Sequence, residues 1–255
     1  MISFLFLLLF VSSLYAYNRF NNNEGAFDPS VLKIQQDLYL GKRLRDYTIL
    51  SDKGWKSLYK VMEKKPTILQ LAYYTCDASC PILIHNLLKA TKGIKGKDFN
   101  VIVLSFDKKD SMDTLKTFKA KLGYVPDNWT FGILQKEDIN SLTKTVGFKF
   151  FYSERDKTFV HPNTLIFLSP DGKVMRYLFG AFPNSKDIKL ALVDAQREKP
   201  SINNILDLAI LACYRYDQSR SRYVMDPVVM FGLMGLGLLG LTGLLTLTYK
   251  KAQEV

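Results

Sequence analysis

Short apolar runs alternate with amphipathic helical patterns through the middle of this chain. The apolar runs cover residues 67–74, 100–106, 130–134 and 164–169. Between them, apolar side chains recur with the 3.6-residue period of a helix over residues 81–90, 112–122 and 137–146. Strands that alternate with helices form a sheet with helices packed on its faces. The sequence therefore predicts a three-layer α/β domain.

The last of these runs is predicted to continue into a hairpin. Asp171 and Gly172 mark the turn, because glycine accepts the positive φ that a hairpin turn requires, and residues 173–179 follow as a further strand. The last two strands should therefore be antiparallel neighbours. Residues 186–196 have the pattern of a closing helix, and residues 201–214 are predicted to form another apolar helix.

The N-terminal end is apolar but short for a membrane span. Residues 2–15 are almost wholly apolar, and Ala16 supplies the small residue that signal peptidase requires. We therefore expect residues 1–16 to be a secretory signal peptide. The polar, asparagine-rich segment after it predicts a linker over residues 17–29, and the folded domain is expected to cover residues 30–200.

The C-terminal end carries a second apolar segment. Residues 228–248 contain no charged side chain and match the ~20 residues that a transmembrane helix needs. Residues 201–227 would then form a helix and a polar tether to the membrane. Because lysines follow the span, and positive flanks stay in the cytoplasm, residues 249–255 are predicted to be a cytoplasmic tail. The domain should face the periplasmic or extracytoplasmic side of the inner membrane.

The formal net charge is +11, which raises the question of a nucleic-acid partner. The lysines and arginines are scattered among acidic residues, and the sequence has no basic run interleaved with aromatic residues. Nucleic-acid binding proteins cluster these residues on one face. We therefore expect no nucleic-acid partner and interpret the charge as solvation of an exported domain.

Two cysteines stand where the first long strand ends and a helix begins. Cys76 and Cys80 are followed directly by Pro81. A helix N-terminus stabilises a thiolate, so both cysteines are expected to ionise more readily than an isolated thiol. Residues four apart on a helix are neighbours, so the two sulfurs are predicted to share either one metal ion or one disulfide.

A metal held by this pair would need at least one more ligand. Thiolates favour Cu(I), zinc or iron–sulfur chemistry, and two cysteines cannot supply the four thiolates of a typical cluster. The chain has only two histidines. His161 lies in the loop before a core strand and is the better candidate, whereas His85 follows Cys80 by five residues and should point roughly 140° away from it. His85 is therefore predicted to be structural.

Other interpretations of the cysteines remain open. A structural disulfide is common in exported domains, although one that closes so small a loop stabilises little. A thiol–disulfide reductase would use the same pair, although such reductases usually have Cys-x-x-Cys spacing. Peroxide reduction ranks last, because the spacing of Cys80 and His161 gives it no particular support. The third cysteine, Cys213, is predicted to be a small buried residue, with copper relay or dimer linkage as the alternative.

The sequence resembles the Sco/SenC family of copper metallochaperones over about residues 37–223. The resemblance rests on the cysteine pair with its proline, on His161 and on several short motifs. These motifs are Leu104-Ser105-Phe106-Asp107, Gly147-Phe148, Leu168 to Lys173, Arg176 to Gly180, and the ending with Cys213-Tyr214, Tyr216-Asp217 and Arg222-Tyr223. The ending is similar to that of a bacterial branch with a C-terminal membrane helix.

The resemblance implies a thioredoxin-like fold with a central mixed sheet and an extra hairpin. It also implies that Cys76, Cys80 and His161 bind Cu(I), which would be carried to the dinuclear copper site of cytochrome c oxidase subunit II or to another copper-containing exported protein. Such carriage requires no enzymatic turnover. Asp107 corresponds to an acidic residue near the metal loop rather than to a ligand. Asp77 departs from the proline that many members carry there, and its charge would oppose thiolate formation.

Overall fold

The computed structural model describes residues 33–77, 79–94, 98–196, 214–217, 222–225, 232 and 240–242. The predicted signal peptide and linker, and the side chain of Cys213, lie outside these residues. Of the predicted membrane span, only residue 232 and residues 240–242 are described, and they are helical. Within the described residues, no helix combines the length and the hydropathy that crossing a membrane requires.

Eleven strands and five α-helices are found in the described part of the chain. The strands are β1 (Thr48–Ser51), β2 (Gly54–Ser57), β3 (Thr67–Ala72), β4 (Asn100–Ser105), β5 (Trp129–Leu134), β6 (Phe151–Ser153), β7 (Thr158–Val160), β8 (Thr164–Leu168), β9 (Val174–Phe179), β10 (Tyr214–Asp217) and β11 (Arg222–Met225). The helices are α1 (Leu58–Met62), α2 (Ser79–Lys92), α3 (Met112–Leu122), α4 (Lys136–Thr145) and α5 (Ser185–Gln196). A short 3-10 helix covers Gln36–Leu38.

Seven of these strands form one mixed sheet in the order β2-β1-β5-β4-β3-β8-β9. β3 pairs in parallel with β4 and antiparallel with β8, and β8 pairs antiparallel with β9. Four strands in the order β9-β8-β3-β4, with β8 antiparallel to both of its neighbours, make up the thioredoxin-like core. The predicted α/β fold, the mixed sheet and the antiparallel last pair are therefore confirmed.

The sheet is covered on both faces, and this burial explains its sequence. Every residue of β3, β4 and β8 is buried, as expected for central strands that read as continuous apolar runs. Helices α2 and α5 pack against each other, and α5 also contacts β3, β8 and β9. A short loop joins the carboxyl end of β3 to α2, and this connection places the cysteine motif at the edge of the core.

Three hairpins were not located by sequence patterns. β1 and β2 pair next to β5, β6 and β7 form a separate two-stranded sheet, and β10 pairs with β11. These strands are only three or four residues long, and β2 and β6 are largely exposed, so they lack an apolar run that would identify them. The predicted helix over residues 201–214 is wrong at its end, because Tyr214 begins β10.

Gly132 in β5 is required for close packing between neighbouring strands. A Cβ atom at this position would lie 2.2 Å from Ile49 Cγ2 and 3.3 Å from the Leu50 carbonyl oxygen. We expect Gly132→Ala to lower the free energy of unfolding by about 1–3 kcal/mol, because a β-branched neighbour cannot move far enough. Urea denaturation measures this loss. Gly93→Ala, where a Cβ would meet open space, is the control, and an equal loss in both variants would contradict the packing argument.

Candidate metal centre

The two cysteines occupy different structural elements. Cys76 lies in the loop after β3, where its backbone N–H donates to the Tyr73 carbonyl oxygen at 3.2 Å, and Cys80 is the second residue of α2. The expectation that both stand on one helical turn is therefore wrong. Their side chains nevertheless meet, because they share a hydrogen bond. Both are buried and neither forms a disulfide.

His161 approaches this pair from a distant part of the chain. It follows β7 and precedes β8, as the sequence predicted, and its Nε2 atom lies 3.4 Å from Cys80 Sγ. The Nδ1 atom lies 3.1 Å from the Pro162 carbonyl oxygen. A carbonyl oxygen can only accept, so Nδ1 carries the proton of the neutral ring and the Nε2 lone pair faces the sulfur. This tautomer leaves Nε2 free to bind a metal.

Aromatic rings hold the imidazole in place. The ring centroids of Phe106, Phe148 and Tyr73 lie 5.2, 5.8 and 6.0 Å from that of His161. This burial lowers the pKa of His161 below its ordinary value. The ring is therefore neutral at pH 7, which is the form that coordinates metal ions.

The thiol of Cys80 behaves differently from the sequence expectation. Its pKa is raised well above the ordinary value, first by the hydrogen bond with Cys76 and then by burial. A backbone hydrogen bond from Tyr73 acts in the opposite direction but is the weaker influence. The hydrogen bond with Cys76 and burial together thus outweigh the stabilisation of a thiolate that the sequence led us to expect, and the expectation of easy ionisation is wrong for Cys80. In the metal-free protein this thiol is protonated at neutral pH.

A buried carboxylate beneath the cysteine loop was missed by sequence reasoning. Asp110 Oδ2 accepts from the Tyr74 backbone N–H at 2.7 Å and from Ser105 Oγ at 2.5 Å, and Oδ1 accepts from Thr114 Oγ1 at 3.0 Å. It ties β4 and the start of α3 to the loop that carries Cys76. An aspartate just before a helix N-cap usually lies at the surface, so no pattern in the sequence indicates this role.

The titration of Asp110 gives a pH-dependent prediction. Burial raises the pKa of Asp110 in the folded protein. Its stabilising contribution is therefore complete below the ordinary aspartate pKa and is lost as pH rises through the raised folded value. We expect the free energy of unfolding of the wild type, relative to Asp110→Asn, to fall as pH rises from about 4 towards neutrality. Urea denaturation over this range tests it against the exposed control Asp113→Asn, and a constant difference would refute it.

The remaining candidates lie elsewhere. His85 is exposed on α2, and its structural role stays a prediction. It borders a cavity of about 360 Å³ between α2, α3 and β5, whose lining includes neither Cys76 nor Cys80. Asp77 is exposed beside Cys76. Asp107 is buried, and its Oδ1 accepts from the Lys109 N–H at 2.9 Å, which closes a turn.

The donor set has the chemistry of a small soft-metal site. Two sulfurs and one imidazole nitrogen come together from the β3–α2 loop, from α2 and from the β7–β8 loop. These are pairwise contacts through Cys80: within the described residues, no group of three or more His, Cys, Asp and Glu side chains is already arranged to hold a metal ion. Thiolate and imidazole ligands together suit Cu(I) or zinc rather than calcium or magnesium, which prefer oxygen.

Comparisons with known proteins agree with the fold and the motif. A family model described as SCO1/SenC matches residues 40–193, a range that includes all three candidate ligands. Among curated proteins, the chain is similar to a SCO1 protein homolog of Bacillus subtilis (strain 168), with 22% identity over 142 residues. The match covers 54% of this chain and 74% of that protein.

Solved structures give the same picture. A protein of Aquifex aeolicus VF5, described provisionally as an electron transfer protein, is 32% identical with a TM-score of 0.57, and the match covers 63% of this chain and 96% of that chain. A SCO1/SenC family lipoprotein from Bacillus anthracis str. Ames is 22% identical with a TM-score of 0.53, covering 62% and 95%. At 22% identity, the likeness to the Bacillus anthracis protein supports the fold of this chain and nothing further.

Proposed function

Because the chain belongs to the SCO1/SenC family, we propose that it is a copper metallochaperone that carries Cu(I) on Cys76, Cys80 and His161. The Sco/SenC resemblance of the sequence implies copper as the metal that these residues bind. Family membership and the meeting of these three side chains support the proposal. The copper ion is the cargo of the protein.

The observation that carries the proposal is the 3.4 Å separation of Cys80 Sγ and His161 Nε2. Two ligands of one ion, with sulfur and nitrogen bonds of about 2.3 and 2.0 Å as in zinc sites, lie roughly 3.5–3.8 Å apart. The observed pair is close to this separation, with the nitrogen lone pair already directed at the sulfur. Cys76 shares a hydrogen bond with Cys80 and supplies the third donor.

Binding would exchange protons for the metal. Each thiol gives up its proton as the sulfur bonds to Cu(I), whereas the neutral imidazole releases none, so two protons leave for each ion bound. The raised pKa of Cys80 means that copper must compete with a firmly held proton. A three-ligand site also has room for an incoming ligand, which allows transfer to an acceptor by ligand exchange.

We further propose the acceptor and the location. The dinuclear copper site of cytochrome c oxidase subunit II is the acceptor that the Sco/SenC resemblance implies, and another copper-containing exported protein is the alternative. Export by residues 1–16 and anchoring by residues 228–248 would hold the domain on the outer face of the inner membrane, with its C-terminus in the cytoplasm.

A Cu(I) titration of the reduced full chain, followed by X-ray absorption, tests the site. We expect one equivalent of copper with two sulfur neighbours and one nitrogen neighbour. A shell of oxygen neighbours, or binding of zinc in preference to Cu(I) under reducing conditions, would count against the proposal. The double variant Cys76→Ser/Cys80→Ser is the control for adventitious copper.

A thiol–disulfide reductase is the second candidate, because the two thiols share a hydrogen bond and would form a disulfide on oxidation. Burial of both sulfurs and the raised pKa of Cys80 disfavour rapid attack on a client disulfide. Its test is the reduction potential of the Cys76/Cys80 couple. Reduction of a client disulfide is downhill only if this potential lies below that of the client.

A further inference from the structure

The hydroxyl of Tyr73 joins the two chain segments that form the site. Tyr73 directly follows β3 and is 6% exposed. Its Oη atom lies 2.6 Å from Thr158 Oγ1, and it also shares a hydrogen bond with Cys76. Thr158 is the first residue of β7, the strand that leads to His161. One hydroxyl therefore bridges the cysteine loop and the hairpin that delivers the histidine.

The direction of these hydrogen bonds follows from the number of protons. A tyrosine hydroxyl has one proton to donate and lone pairs with which to accept. A cysteine that binds a metal is a thiolate and can only accept, so Tyr73 must donate to Cys76 in the loaded protein. Thr158 must then donate to Tyr73. The result is a chain of hydrogen bonds from Thr158 through Tyr73 to the Cys76 sulfur.

The tyrosine ring is held in one position by its neighbours. Its centroid lies 5.1 Å from that of Phe159, 5.6 Å from that of Phe106 and 6.0 Å from that of His161. Rings at these distances pack favourably and leave little freedom at the hydroxyl. The donor is thus fixed by packing before copper arrives, and Tyr73→Phe would remove the hydroxyl while keeping the ring.

We propose that Tyr73 is a positioning residue of the copper site, which receives a hydrogen bond from Thr158 and donates one to Cys76, and so strengthens Cu(I) binding. This inference rests on the proposed function. The hydrogen bond stabilises negative charge on the sulfur, and that charge is greater when copper is Cu(I) than when it is Cu(II). Removing the hydroxyl should therefore disfavour Cu(I) relative to Cu(II).

Tyr73→Phe in the full chain is the central variant. We expect its Cu(I) dissociation constant to rise about tenfold, as the loss of a hydrogen bond to a charged group suggests. For the one-electron step from Cu(II) to Cu(I), a tenfold change in the equilibrium constant lowers the midpoint potential by about 60 mV. Thr158→Val should shift the potential in the same direction by less, and Thr158→Ser, which keeps the hydroxyl, should restore the wild-type value.

Tyr74→Phe is the matched control. Tyr74 is also buried, but among the residues that the structure describes, its hydroxyl forms hydrogen bonds with backbone atoms of Val103 and Gly132 only. Its loss should lower stability and leave the copper potential unchanged. An equal shift of potential in the Tyr73 and Tyr74 variants would overturn the proposal, because it would reveal a general loss of packing.

A measurement without copper separates this inference from the proposed function. At a pH high enough to ionise Cys76, the Cys76–Cys80 disulfide takes up two electrons and one proton from a glutathione buffer to give the Cys80 thiol and the Cys76 thiolate, and the Tyr73 hydrogen bond stabilises that thiolate. Tyr73→Phe should lower this equilibrium constant about fivefold, or about 20 mV for two electrons. If the wild type binds no Cu(I), the proposed function fails, and this shift alone decides the role of Tyr73. If both the copper potential and the disulfide potential of Tyr73→Phe equal those of the wild type, the proposed role of Tyr73 is overturned.

Discussion

Replacing His161 with alanine is expected to weaken Cu(I) binding by at least about a hundredfold, since loss of a ligand should cost no less than loss of the groups that orient it. The Nε2 lone pair of His161 faces Cys80 Sγ at 3.4 Å, and without the ring only the two sulfurs remain. Competition with a chromophoric Cu(I) chelator measures the dissociation constant. X-ray absorption should lose its nitrogen neighbour in the same variant.

The second histidine of the chain provides the matched control. His85 is exposed on α2, and His85→Ala should leave Cu(I) affinity within error of the wild type. The same substitution at two histidines thus separates a ligand from a surface side chain. Unweakened, stoichiometric binding by His161→Ala would remove His161 from the ligand set.

Replacing Phe106 with alanine is expected to lower the free energy of unfolding by about 3–5 kcal/mol, the usual cost of truncating a buried phenylalanine. Its ring is 1% exposed and lies 5.2 Å from the His161 ring. It also contacts four other rings, those of Tyr73, Phe148, Phe150 and Phe159. The cavity left behind would release the imidazole, so we expect Cu(I) affinity to fall about 10- to 100-fold as well.

Phe131→Ala separates stability from function. Phe131 is also 1% exposed, but it packs against Phe118 and Trp129, away from the cysteines. The free energy of unfolding of Phe131→Ala, measured by urea denaturation, should fall about as much as that of Phe106→Ala, and its Cu(I) affinity should equal that of the wild type. If Phe106→Ala does not fold, Phe106→Leu, which keeps most of the side-chain volume, replaces it in the same measurements. Equal copper affinities in the Phe106 and Phe131 variants would show that the aromatic cluster does not position His161.

The apolar runs in the sequence predicted five strands of the seven-stranded sheet. The predicted runs became β3, β4, β5, β8 and β9, each within two residues at either end. β3, β4 and β8 are buried on both faces and β5 and β9 are largely buried, so their apolar character is nearly continuous and visible in a single sequence. The short exposed strands of the β1–β2 and β6–β7 hairpins carry no such signal, because hydrogen bonds to a partner define them rather than burial.

Some properties of the site could likewise be predicted from the sequence, and others could not. Cys76 and Cys80 could be chosen from residue type, spacing and position, which are local properties of the chain, whereas His161 was chosen by elimination between two histidines and from the Sco/SenC resemblance. The raised pKa of Cys80 could not be predicted, since it depends first on a hydrogen bond with Cys76 that only the folded loop creates, and then on burial. The same holds for Asp110, which reaches the Tyr74 N–H across 36 residues.

The sequence by itself therefore determined the α/β class, the antiparallel last pair of strands and the cysteine pair, and its Sco/SenC resemblance implied the mixed sheet and His161 as the third ligand. Tertiary structure alone decided that Cys76 stands outside α2, that the His161 Nε2 atom faces Cys80, and that Tyr73 joins Thr158 to the cysteine loop. The physical reason is the separation along the chain of the residues that interact. Periodicity and motif spacing report neighbours along the chain, whereas tautomer, protonation and hydrogen-bond direction are set by atoms that only folding brings together.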